Sequence, residues 1–96
     1  AGMPIKDIRQ YIQLALQGDD TIDLRLQLFQ HQREVLKAQL KEMQHTLEMV
    51  EYKCWYYETA KAAGSIAIPQ HMEEQEIPQR FRAVRQELKR LPKKED

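Results

Sequence analysis

From Thr21 to Ala62 no proline or glycine occurs, and apolar residues return every three or four positions. They fall at Ile22, Leu26, Phe29, Leu36, Leu40, Met43, Leu47, Val50, Cys54 and Tyr57, with Arg33 filling the one slot between Phe29 and Leu36. This is a heptad seam with d positions at 22, 29, 36, 43, 50 and 57 and a positions at 26, 33, 40, 47 and 54. A helix of roughly 40 residues is about 60 Å long at 1.5 Å per residue, wider than a domain of this size. The rest of the chain cannot wrap it. The seam requires a partner helix, and a second copy of the chain is the simplest one.

Arg33 indicates how the two copies run. In a parallel, in-register pair an a residue faces its own copy, so two guanidinium groups would meet inside the seam. In an antiparallel pair a faces d, and Arg33 lies against an apolar residue such as Val50 with its head reaching solvent. Two like charges in a partly dry seam cost more than one snorkelling arginine. The antiparallel arrangement is expected. It places Cys54 opposite the partner's Phe29, near the ends of the coiled coil, where any ligand pocket is expected too.

The flanking segments read as shorter helices. Pro4 opens the first, with Ile5, Ile8, Ile12 and Ala15 or Leu16 on one face, and Gly18 ends it where a positive φ is wanted. Asp19 or Asp20 is expected to cap the long helix, and the first helix to pack over its start. Ala63-Gly64 stops the long helix. Just before that stop, Tyr52, Trp55, Tyr56 and Tyr57 gather four of the seven aromatic residues into six positions. Trp55 and Tyr56 project from the flanks of the seam and need a cover or a ligand. Ser65 to Gln75 reads as a linker holding Pro69. From Pro78 a last helix carries Ile77, Phe81, Val84, Leu88 and Leu91 on one face and Arg80, Arg82, Arg85, Lys89 and Arg90 on what is expected to be its wet side. Its apolar face is expected to dock on the aromatic cluster. Residues 92–96 are expected to fray.

Composition narrows the function. Charged residues make up 31% of the chain and aromatics 7%, with three glycines, which suits solvated helices better than a sheet-based enzyme core. Fifteen basic and fifteen acidic residues cancel, so no net field marks a nucleic-acid or membrane binder. A single cysteine forms no intrachain disulfide and fits a reducing compartment. With no apolar run long enough to span a bilayer, no membrane role and a cytoplasmic location are expected.

Site chemistry is sparse. His31 and His45 are both at f positions two heptads apart, roughly 21 Å along one helix, and His71 is in the linker. They share no metal within one chain, and neither a metal nor a cofactor is expected. Without a phosphate loop, a nucleophile elbow or a segregated carboxylate pair, no enzyme activity is expected. Cys54 beside Lys53 is the one reactive candidate, since a neighbouring cation favours thiolate. As a small apolar residue at an a position it also simply packs.

The run Gly2-Met3-Pro4-Ile5-Lys6-Asp7-Ile8-Arg9-Gln10-Tyr11, the joint Gly18-Asp19-Asp20-Thr21 and the heptad helix ending Tyr52-Lys53-Cys54-Trp55-Tyr56-Tyr57-Glu58 resemble the second part of a MerR-family transcriptional regulator. The resemblance covers Gly2 to Ala63. It implies an all-α chain: residues 1–18 as the last helix of a winged-helix DNA-binding domain, 19–63 as an antiparallel dimerisation helix, and 64–96 as linker, short C-terminal helix and effector end. The family's recognition helix-turn-helix and first wing are absent from these residues. The partners it implies are a second copy, promoter DNA in the whole regulator, RNA polymerase, and a small electrophilic or apolar effector. Lys6 and Arg9 would lie near DNA phosphate, and the effector would meet Tyr52, Cys54, Trp55 and Tyr56, as in members that answer aldehyde or thiol stress. The competing reading is a structural or adaptor coiled coil with no DNA connection.

Overall fold

A computed structural model describes residues 2–91, all of whose regular structure is helical. Four α-helices follow in order: α1 (Ile5–Leu16), α2 (Ile22–Ala63), α3 (Ala67–Gln70) and α4 (Gln79–Arg90). Single 3₁₀ turns, Asp19–Thr21 and Glu74–Glu76, precede α2 and α4. The all-α expectation holds, and α2 runs unbroken for 42 residues. The expected fraying at 92–96 lies outside the described residues. Packing divides the chain into one unit up to Glu42 and another from Met43, with α2 contributing to both.

In the first unit, Pro4 sets the entry to α1, and its carbonyl accepts the amides of Asp7 and Ile8 at 3.0 and 3.1 Å. Gly18 leaves the helix at φ +94°, a backbone region that disfavours any side chain. The joint that follows departs from expectation. Neither Asp19 nor Asp20 makes a side-chain cap. The buried Thr21 holds the joint instead. Its hydroxyl meets the carbonyls of Leu14 and Gly18, the latter at 2.9 Å. Arg25 then closes over it, donating from Nε to the Thr21 hydroxyl at 3.1 Å and from Nη2 to the Gly18 carbonyl at 2.8 Å. A threonine reaches back across a tight turn to orphan carbonyls, whereas a carboxylate accepts only.

The first helix does pack over the start of α2, but through an unexpected side. Asp7 accepts a 2.7 Å hydrogen bond from the buried Gln32, and the Tyr11 ring meets Phe29 edge-on with centroids 5.1 Å apart. Asp7 and Tyr11 are one helical turn apart. Ile5, Ile8, Ile12 and Leu16 lie on other sides of α1 and remain exposed in this chain, Leu16 at 82%.

The second unit has an apolar core of Tyr52, Ile77, Phe81 and Val84, bordered by Met49, Trp55, Tyr56, Met72 and Leu88. Phe81 touches both Tyr52 and Trp55, at centroid separations of 5.9 and 5.7 Å. The expected docking of α4 on the aromatic cluster therefore takes place. Gly64, at φ +79°, ends α2, and the amides of Gly64 and Ser65 converge on the Ala60 carbonyl at 2.8 and 3.1 Å. The segment read as a plain linker contains α3, whose Pro69 is fully buried. The ring is tolerated there because a proline in the first turn of a helix forfeits no helical hydrogen bond. Pro78 then starts α4, its carbonyl accepting the Phe81 amide at 2.9 Å.

Candidate functional site

The seam residues of α2 can be located unit by unit. In the first, Ile22, Leu26, Phe29, Leu36 and Leu40 are all exposed, as is Arg33. Phe29 also contacts Tyr11 and still leaves 43% of its surface open. In the second, Met43, Leu47, Val50, Cys54 and Tyr57 are exposed likewise, Met43 at 68%. A Leu or Met side chain gains about 1.5–3 kcal/mol on full burial. A stripe of them on one helix is a large exposed apolar surface.

The aromatic end is largely built into the fold. Tyr52 is buried at the centre of the core, and Trp55 and Tyr56 are half-buried around it. Tyr56 meets Tyr52 and Tyr57 edge-on, at 6.0 and 5.1 Å between centroids. Burial among these rings, with the neighbouring Tyr52 and Tyr57 phenols, pushes the Tyr56 hydroxyl above its ordinary value, while Arg85 pulls the other way. It stays a proton donor at neutral pH. Lys53 arches over this surface, 5.9 Å from the Tyr52 ring and 5.6 Å from the Tyr56 ring. Cys54 is a free, exposed thiol on the neighbouring side of α2, lining a cleft with Trp55, Glu58, Arg80 and Phe81.

The residue that sequence reasoning misplaced is Arg85. It was expected on the wet side of α4, yet it is 6% exposed. Its guanidinium donates to the Tyr52 hydroxyl at 3.2 Å and to the Gln70 carbonyl at 3.0 Å, tying α4 to α2 and to the end of α3. The spacing held a clue. Position 85 is four residues after Phe81 and three before Leu88, inside the buried arc of the helix. The other basic residues of that face behave differently. Arg80 is exposed and pairs with Glu51 at 2.7 Å, and Arg82 donates to the Ile77 carbonyl at 3.0 Å.

Lys6 and Arg9 are exposed on α1. Among the described residues no three His, Cys, Asp or Glu side chains gather to hold a metal ion, and no helix is long and apolar enough to cross a membrane. His45 contacts Glu87 at 3.1 Å, and the ring nitrogen of His71 lies 3.0 Å from the Ala67 carbonyl.

No family model and no solved structure matches the chain. Among curated proteins, it is similar to one from Haemophilus influenzae described as an uncharacterized HTH-type transcriptional regulator, with 43% identity over 65 residues. The match takes in 68% of this chain and 48% of that relative, so the chain spans about half the length of the protein it resembles.

Proposed function

We propose that this chain is the dimerisation and effector-responsive part of a DNA-binding transcriptional regulator of the MerR type, acting in the cytoplasm and without enzymatic activity. The observation that carries the reading is the exposed apolar stripe of α2, from Ile22 to Tyr57, on a helix with no break. Similarity to an HTH-type regulator supports the regulatory role. The unpartnered Ile5, Ile8, Ile12 and Leu16 of α1 support contact with a preceding DNA-binding domain, since a face of that kind is rarely left in water. In that setting Lys6 and Arg9 approach DNA phosphate, and the dimer presents its two halves to promoter and RNA polymerase.

In the antiparallel register Arg33 lies against the partner's Val50 and Phe29 against the partner's Cys54. Each end of the seam then carries one thiol, flanked by Lys53, at which a small electrophile or oxidant acts as effector. Replacing Cys54 by Ser in the full-length regulator is expected to abolish its response to aldehydes and oxidants. An unchanged response removes the thiol from the reading and leaves the dimer in place.

The dimer is tested by spin labels at position 31, on the outer side of α2. Antiparallel helices put the two labels about 30 Å apart or more, and a parallel pair roughly 15–20 Å. The shorter distance overturns the MerR-type arrangement and favours an ordinary zipper. Absence of a dimer overturns the reading altogether.

A further inference from the structure

Beside the core, α2 and α4 leave a cleft of about 300 Å³. Its floor carries Arg85. Its rim carries Lys53 and Lys89, and its walls are Tyr56, Tyr57 and Leu88. The guanidinium is buried, and both of its hydrogen-bond partners, the Tyr52 hydroxyl and the Gln70 carbonyl, are neutral oxygens. Among the described residues no carboxylate lies within ion-pairing distance of it. A buried charge is ordinarily matched by an opposite one, because neutral acceptors replace only part of the hydration it has lost. Among the described residues the matching charge is missing, and the cation sits in the lining of an open cleft.

We propose that this cleft binds a small aromatic carboxylate. The guanidinium fork accepts a carboxylate in a planar, two-bonded geometry, and Lys53 and Lys89 add positive charge at the mouth. The ring of Tyr56 and the Leu88 side chain offer the flat, apolar surface that a single aromatic ring fills. The volume, at the small end for ligand pockets, suits a one-ring molecule. An inorganic anion would use the three cations and leave these walls wet. The inference goes beyond the regulatory reading and does not rest on it, since binding is measured on the protein alone, without DNA.

The test is calorimetric titration of the full chain at low salt with benzoate, with benzyl alcohol as its uncharged counterpart, and with inorganic phosphate. Benzoate is expected to saturate one site per chain, with benzyl alcohol and phosphate at least about tenfold weaker, the order expected for losing one charge-assisted hydrogen bond. Lys89→Gln is expected to weaken benzoate about tenfold, and Arg85→Met to abolish its binding. Should Arg85→Met fail to fold by circular dichroism, Lys89→Gln and Lys53→Gln carry the test, because both side chains are exposed and neither holds the core. Three results overturn the proposal: no saturable heat at millimolar benzoate, phosphate binding as tightly as benzoate, or benzoate binding unmoved by both lysine variants.

Discussion

The two units of this chain are held together by different physics. From Met43 onward, the buried side chains include Tyr52, Ile77, Phe81 and Val84, an apolar core supplied by two helices and the turn between them. Among the described residues up to Glu42, the buried side chains are Thr21 and Gln32, both polar, and Ile5, Ile8, Ile12 and Leu16 of α1 stay exposed. The first unit is located by hydrogen bonds: Thr21 and Arg25 on the Gly18 carbonyl, and Gln32 on Asp7. Intramolecular hydrogen bonds contribute about 0.5–1.5 kcal/mol each, and burying one large apolar side chain about 1.5–3 kcal/mol. The second unit can therefore hold its shape from within. The first is oriented by its polar contacts and leaves its large apolar side chains exposed in the single chain.

That contrast can be broken by mutation, the largest effect first. Leu40→Asp puts a charge in the middle of the stripe and is expected to abolish dimerisation, read by light scattering. In the resulting monomer, amide exchange should quicken across α1 while α4 keeps its protection. Equal loss in both regions would mean the second unit leans on the partner as much as the first. Phe81→Ala empties the centre of the aromatic core and should cost about 3–5 kcal/mol in chemical denaturation. It should flatten the near-ultraviolet dichroism of Trp55. Thr21→Val keeps the shape of the joint and removes the hydroxyl from the Leu14 and Gly18 carbonyls, leaving Arg25 one partner short. A cost of about 1–3 kcal/mol is expected, with faster exchange confined to α1. Should it match Phe81→Ala, the polar joint is no lesser device than the core. Arg80→Gln, at an exposed pair with Glu51, should change stability by less than about 1 kcal/mol, and less still at high salt.

Much of this architecture was legible in the residues because its boundaries are made by backbone chemistry. Gly18 and Gly64 stop helices at positive φ, and Pro4 and Pro78 start them. The heptad stripe needed only spacing, and the docking of α4 followed from two apolar faces close in sequence. The misses share another character. Its charge points Arg85 to water, yet its place in the helical arc puts it inside, where the Tyr52 hydroxyl and the Gln70 carbonyl accept its hydrogen bonds. Asp19 and Asp20 carry side chains that only accept, the groups to be met at the joint are carbonyls, and the Thr21 hydroxyl does the holding. In α1 the apolar residues marked a face correctly but not the side turned toward α2, because Asp7 and Tyr11 found partners in Gln32 and Phe29. Periodicity tells which residues share a face. It says little about which polar side chain meets which carbonyl across a turn.

The conformation of Gly18 carries one last consequence. At φ +94° and ψ −162° it is the mirror image of ordinary extended backbone, and a Cβ added there would meet nothing within 4 Å. What excludes a side chain is therefore handedness alone, with no lack of room. A chemically synthesised chain with L-alanine at this position should strain the joint. The same chain with D-alanine should tighten it, since the enantiomer prefers this geometry and gives up less freedom on folding. One stereocentre, inverted in otherwise identical molecules, would turn the joint between α1 and α2 from a liability into a brace.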